Sequence, residues 1–222
     1  MIKSKIIIFL IVIISIITIL FFVFSKNTAK VFKNGNTKTS QEIVDYILNI
    51  SSYNLKVTVE VIGNKSDNKY ILIQQYVSPN VTKQEVIEPS NIAGIKILND
   101  GTNLKLENSD LNLNTIFENY SYLGDNCLDL LSFIENYKNN SESEFIDEEN
   151  QIIMKTNSAD GKKYIQNKVL YIDKKTYQPT KMEIKDNNEK TTVYILYNEV
   201  EINSTDKEEV VAFENCITSS II

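Results

Sequence analysis

"YNLKVTVEVIGNKSDNKYILIQQYV", Tyr53 to Val77, is the stretch on which the fold turns. Leu55, Val57, Val59 and Val61 alternate with Lys56, Thr58 and Glu60. An extended chain therefore puts the apolar side chains on one face and the polar ones on the other. The run from Gly63 to Asn68 is built of residues that favour turns, and a second apolar run, Lys69 to Val77, follows it up to Ser78-Pro79. Period-two alternation on both sides of a turn predicts an antiparallel pair with one buried face.

The same grammar continues downstream. "VTKQEVIE", Val81 to Glu88, reads as a third strand with weaker alternation, ended by Pro89. "EPSNIAGIKILNDGTNLKLEN", Glu88 to Asn108, then predicts a hairpin of Ile95–Leu98 and Asn103–Glu107. Its Asn-Asp-Gly corner needs Gly101 in the left-handed conformation. Upstream, Thr39-x-x-Glu42 fits a capping box, and Ile43, Val44, Ile47 and Leu48 share one helical face, so a helix is expected up to about Ser51-Ser52. The stretch from Leu111 to Asn140 has helical spacing at Leu128, Leu131 and Ile134, which predicts one or two helices capped by Asp125 or Asn126. "SESEFIDEEN", Ser141 to Asn150, reads as a solvated acidic loop. Four more strands follow, in "NQIIMKT", "KKYIQNKVLYID", "PTKMEIKD" and "KTTVYILYNEVEI". The tail from Asp206 onward carries no decisive pattern.

Ahead of this domain, Ile6 to Phe24 is nineteen residues without a charge. At about 1.5 Å per residue a helix of that length spans roughly 28 Å, close to the hydrocarbon thickness of a bilayer. The run is longer than the apolar region of a signal peptide, and Asn27-Thr28-Ala29 makes a poor cleavage site, so an uncleaved single-pass anchor is expected. The first cysteine is Cys127, which leaves no cysteine for N-terminal lipid attachment. Lysines flank both sides of the span (Lys3 and Lys5 before, Lys26, Lys30 and Lys33 after), so charge does not set the orientation. The domains expected are 1–33, start, anchor and tether, and 34–222, one folded domain.

Charge and composition exclude several functions. Of 23 Lys, five precede residue 34 and none of the 29 acids does, which leaves −11 for residues 34–222. Phosphate backbones would repel such a domain, so nucleic acid is excluded as a partner. The chain has no His, which removes Ser-His-Asp and Cys-His catalysis and the imidazole ligands of most zinc hydrolases. It also lacks the glycine-rich phosphate-binding motifs. Cys127 and Cys216 are read as free thiols, with pairing left open. The acidic loop lacks the spacing of a calcium loop. The tyrosines, among them Tyr70, Tyr76, Tyr120, Tyr122, Tyr164, Tyr171, Tyr194 and Tyr197, are read as packing residues rather than a ligand cleft. No residue is nominated as catalytic, cofactor-binding or metal-binding, no cofactor is expected, and the chain reads as no enzyme.

The order anchor, helix, five strands, helical insertion, four strands resembles the lipoprotein-carrier fold of LolA and LolB. The resemblance is carried by "QQYVSPNVTKQEVIEPSNIAGIKILNDGTNLKLEN" and "VLYIDKKTYQPTKMEIKDNNEKTTVYILYNEVEIN", about a third of the chain. It implies an α+β fold, a curved antiparallel half-barrel sheet with helices on its concave face, placed outside the cytoplasm. Within that superfamily the chain resembles the GerS-like germination proteins of spore-forming bacteria. That resemblance implies a non-catalytic partner of a zinc-dependent N-acetylmuramoyl-L-alanine amidase of the CwlD type, acting on the spore cortex. GerS proteins are lipoproteins, whereas this chain carries an apolar span. The alternative is a LolA-type lipid or lipoprotein carrier, which would need an open apolar cavity. A lipid ligand and a second copy of the chain stay open as further partners.

Overall fold

The computed structural model describes residues 38–63, 66–120, 128–162 and 165–204, with the side chains of 158–166 outside the description. The expected anchor, Ile6–Phe24, lies outside the described residues, as do Asp125, Asn126, both cysteines and the tail from 205. Among the described residues no helix is long and apolar enough to cross a membrane.

One open sheet of eleven antiparallel strands organises the domain. The first half runs β1 (Ser52–Val61), β2 (Asn68–Val77), β3 (Val81–Glu88), β4 (Lys96–Asn99), β5 (Leu104–Asn108) and β6 (Leu113–Phe117). The second runs β7 (Glu144–Asp147), β8 (Gln151–Lys162), β9 (Ile165–Asp173), β10 (Pro179–Lys185) and β11 (Thr191–Ile202). Each half is a meander in which neighbours in sequence are neighbours in space. They join where β1 pairs with β11, from Tyr53 opposite Ile202 to Val61 opposite Val193, with a bulge between Lys56 and Val57. Among the described residues, strands β6 and β7 are therefore the two edges of the sheet.

Two helices, α1 (Ser40–Leu48) and α2 (Leu130–Asn139), pack on one face. The capping box of α1 forms as read: the Glu42 amide donates to Thr39 Oγ1, and the Glu42 carboxylate accepts from the Thr39 amide at 2.6 Å. Ile43, Val44 and Ile47 go into the core, while Leu48 stays half-buried. Asp129 caps α2, accepting from the Leu131 amide, so the start of that helix is set three or more residues later than Asp125 or Asn126 would have set it. Beneath the helices lie Leu55, Val57, Val59, Ile152, Met154, Leu170, Ile172, Met182, Ile184 and Ile195, closed over by Leu130, Phe133 and Ile134. The alternation in Tyr53–Val61 thus marks the core face.

The hairpin of β4 and β5 turns as its sequence demands. Gly101 sits at φ +89°, Asn99 Oδ1 accepts from its amide at 2.8 Å, and Asp100 Oδ1 accepts from the amides of Thr102 and Asn103 at 2.8 and 2.6 Å. Two strands replace what the sequence suggested. Leu113–Phe117 is β6 rather than the start of a helical insertion. Asn108 decides it: its Oδ1 accepts from the Leu111 amide, Asn112 takes a positive φ, and the chain folds back along β5. Glu144–Asp147, read as loop, is the edge strand β7, held by backbone pairing to β8 and by ion pairs of Glu144 with Lys155 and Asp147 with Lys174.

Candidate functional site

Strand register shows which residues share the helix side. From β2 outward the rows are Leu72 with Val86, Gln74 with Gln84 and Ile97, and Tyr76 with Thr82 and Asn99. In β2 and β3 the positions in phase with the core residues Leu72 and Tyr76 thus include Gln74, Gln84 and Thr82, all buried. There the apolar floor gives way to a polar one.

At its inner end this floor meets a buried polar cluster below the first turn of α2. The Tyr53 hydroxyl donates a short hydrogen bond to Asp129 Oδ1 and lies within hydrogen-bond distance of the Leu131 amide. The Tyr53 and Tyr76 rings meet at 5.3 Å. Gln74, 1 % exposed, donates from Nε2 to the Leu128 carbonyl at 2.9 Å, and among the described residues its Oε1, Gln84 Nε2 and the Tyr197 hydroxyl find no partner. Burial pushes the Asp129 carboxyl up, against the pull of the Tyr53 bond, and burial also raises the Tyr197 phenol. Nearby, the fully buried Lys168 donates from Nζ to Ser132 Oγ at 3.0 Å, under the same helix. This cluster positions α2 on the sheet.

Beside it opens a cleft of about 190 Å³ lined by Asn80, Thr82, Asn99, Gly101, Leu131 and Glu135. Strands β3 and β4 supply its polar floor, and Leu131 and Glu135, one helical turn apart, supply the α2 wall. Gly101 keeps that site open, because a Cβ there would stand 3.0 Å from the Asn80 Cβ. Burial raises the Glu135 carboxyl above the ordinary range. A second cleft, of about 270 Å³, lies at the β8–β9 end and is lined by Lys155, Lys168 and Lys185 together with Glu142, Glu144 and Glu189.

Most acids of the 141–150 segment have separate partners. Asp147 accepts from Lys174 and from Ser40 Oγ, which hold its carboxyl below the usual range; Glu148 accepts from Gln151, and Glu144 pairs with Lys155. Among the described residues no group of three or more His, Cys, Asp or Glu is placed to hold a metal ion. Of the tyrosines, Tyr76 and Tyr197 are core residues, Tyr70, Tyr120, Tyr171 and Tyr194 are half-buried, and Tyr122 and Tyr164 lie outside the described residues.

The two sheet edges differ. Of the four residues of β7, Glu144 and Asp147 are charged, whereas Leu-Asn-Thr-Ile-Phe in β6 has no charge. Leu111 and Phe117 are 56 % and 44 % exposed at that second edge, with the Phe117 ring 6.1 Å from Tyr120.

Residues 3–210 match the family described as sporulation protein YdcC-like. The chain belongs to that family. The match spans almost the whole sequence and bears out the sporulation-associated family expected from it. No curated protein matches the sequence. Among solved structures, an uncharacterized conserved protein from Thermus thermophilus is similar in fold: 11 % identity, 78 % of this chain, 93 % of that one, TM-score 0.51. A chain of the CwlD amidase–GerS lipoprotein complex from Clostridioides difficile is 26 % identical over 78 % of this chain and 98 % of that one, with a TM-score of 0.43. A LolA superfamily protein from Nitrosomonas europaea is 11 % identical over 77 % and 96 %, with a TM-score of 0.41. YdcC-like membership places this open sheet with its two helices in sporulation.

Proposed function

We propose that this YdcC-like protein is a non-catalytic, membrane-anchored envelope protein that serves as a GerS-like partner of a zinc-dependent spore-cortex amidase. The family match over residues 3–210 carries the reading. The class of partner is the one implied by the sequence resemblance in Gln74–Asn108 and Val169–Asn203. In this reading Ile6–Phe24 holds residues 34–222 on the outer face of a cell or forespore membrane. A tether of that kind raises the effective concentration of a bound enzyme at the membrane, whereas a shuttling carrier must leave it.

The helix–sheet interface supports a partner over a lipid carrier. Phe133, Leu130 and Ile134 fill the space above Met154, Leu170 and Met182, so the apolar volume that acyl chains would need is occupied by side chains. The cleft at Lys168 is lined mainly by charged and polar side chains, and the one at Thr82 by a mixture of polar and apolar surface. The uncharged strand β6, an edge among the described residues with Phe117 and Leu111 exposed, is the surface we assign to docking, because an edge without charges can accept an added strand.

The test is gel filtration with light scattering on the full chain in detergent, mixed with the cortex amidase of the same cell. Co-elution at a defined ratio is expected. Separate elution of two folded proteins overturns the reading, and lipid found by mass spectrometry in the purified chain would move the case to the carrier.

A further inference from the structure

The edge assigned to docking carries a charge pattern that β7 lacks. Strand β6 itself is uncharged, but just beyond its two ends stand Asp110 and Glu118, both exposed. Neither forms an ion pair with another described residue. At β7 the acids lie within the strand, and Lys155 and Lys174 pair with them. On the neighbouring strand β5, Lys105 lies opposite Ile116 and pairs with Glu107 at 2.8 Å. The backbone that carries the two carboxylates is pinned. Asn108 Oδ1 accepts from the Leu111 amide at 2.9 Å, which fixes the turn containing Asp110. Asn103 Oδ1 accepts from the Asn119 amide at 3.3 Å, one residue beyond Glu118. Both ends of the edge are thus set before any strand is added.

In strand addition the main chain supplies affinity and the alternate side chains supply selectivity. Leu113, Thr115 and Phe117 alternate along β6 with Asn114 and Ile116, and Leu104 and Leu106 of β5 lie opposite Phe117 and Thr115. That side of an incoming strand therefore meets apolar neighbours. The five residues of β6 span roughly 17 Å at about 3.4 Å each, so one cation cannot serve both ends. Acids at the ends of the incoming segment would be repelled there, and lysine or arginine attracted. The net charge of −11 on residues 34–222 adds a long-range pull of the same sign. We infer that β6 receives an extended protein segment with an alternating apolar centre and a lysine or arginine at each end. This rests on the reading of β6 as the docking edge and adds the chemistry of what docks there.

The probes are two acetylated, amidated peptides carrying a fluorophore: Lys-Val-Thr-Val-Thr-Val-Lys, and its counterpart with glutamate at both ends. Anisotropy is read on the full chain in a nonionic detergent. The lysine-ended peptide is expected to bind saturably, and the glutamate-ended one about tenfold more weakly. The gap closes at about 1 M salt, where the Debye length is about 3 Å. Asp110→Lys combined with Glu118→Lys reverses the preference, and Phe117→Lys removes binding of both peptides with unchanged circular dichroism. Equal binding of the two peptides, tighter binding of the glutamate-ended one, or no saturable binding of either by the folded chain overturns the proposal. If the double variant failed to fold, the two peptides on the parent chain would still decide. Gel filtration of the same preparation with the amidase separates this proposal from the reading beneath it. Co-elution without a charge preference removes the basic-ended segment and keeps the amidase. A charge preference without co-elution keeps the segment and removes the amidase.

Discussion

On the helix side of the sheet, strands β7 to β2 and strands β3 to β6 are built to the same pattern and end differently. In the first group the inward positions are mostly Val, Leu, Ile, Met and Tyr, with Gln74 and Lys168 as polar exceptions bonded to Leu128 and Ser132, and α1 and α2 pack over them. In the second the inward positions include Thr82, Gln84, Asn99 and Asn108, with Ile97, Leu104 and Leu106 only half-buried. The first group supplies most of the stability. The second presents surface: a polar cleft and an uncharged edge. A fold that fills one half of its sheet leaves the other free to vary without unfolding the domain.

The largest effect that would break this contrast is a cavity. Phe133 is fully buried over Met154 and packs its ring 6.0 Å from Tyr137. Phe133→Ala is expected to destabilise by about 3–5 kcal/mol in urea unfolding. Leu104→Ala, on the half-exposed floor, should lose about 1 kcal/mol or less. Equal losses at the two sites would show that the second half is also sealed.

Next comes the polar cluster that fixes α2. Tyr53→Phe removes the hydroxyl that donates to Asp129 and leaves a buried carboxylate with fewer partners. The expected loss is about 2 kcal/mol, read as a lower urea midpoint at unchanged m-value.

A smaller effect is carried by pH. Burial holds the Asp129 carboxyl above its unfolded value, so the folded state binds this proton more readily than the unfolded chain. The contribution of Asp129 is therefore fully present below the ordinary carboxylate pKa and is lost as pH rises through the raised one. Asp147, held low by Lys174 and Ser40, works in the opposite sense and loses its contribution as pH falls. Asp129→Asn keeps an oxygen for the Leu131 amide and removes the titration. The stability difference between wild type and Asp129→Asn should shift against the wild type as pH rises from 4 to 7, measured by urea midpoints at each pH. A difference constant with pH would place the Asp129 pKa at its unfolded value.

How much of this was legible beforehand follows from the same contrast. Where burial is one-sided and apolar, as in Leu55, Val57 and Val59, period two reveals both strand and face. The capping box of α1 and the Asn-Asp-Gly corner were equally readable, because their chemistry is local. Strands β6 and β7 were not: Leu-Asn-Thr-Ile-Phe fits neither period, and Glu-Phe-Ile-Asp is as charged as a loop. Both are edges whose pairing is decided by a partner strand and not by their own pattern. The cleft left a fainter trace. Gln74, Thr82 and Gln84 are polar residues in the apolar phase of their strands, and the weak alternation of "VTKQEVIE" was the visible sign. What could not be read was how α2 would sit against them, since that depends on Asp129 setting where the helix begins.

The smallest effect on stability is also the one that sharpens the difference between the two edges. Phe117→Lys places a charge on β6, at a side chain already 44 % exposed, so the fold should lose about 0.5 kcal/mol or less. Ile146→Lys makes the matching change on β7, an edge already guarded by Glu144 and Asp147. If β6 is the docking edge, Phe117→Lys abolishes co-elution with the amidase while Ile146→Lys leaves it intact. A lysine on an edge strand opposes the approach of another strand, because its charge would have to be buried in the new interface. The reverse outcome, with Ile146→Lys alone blocking association, would move the docking surface to β7 and leave β6 as an edge that the fold merely tolerates.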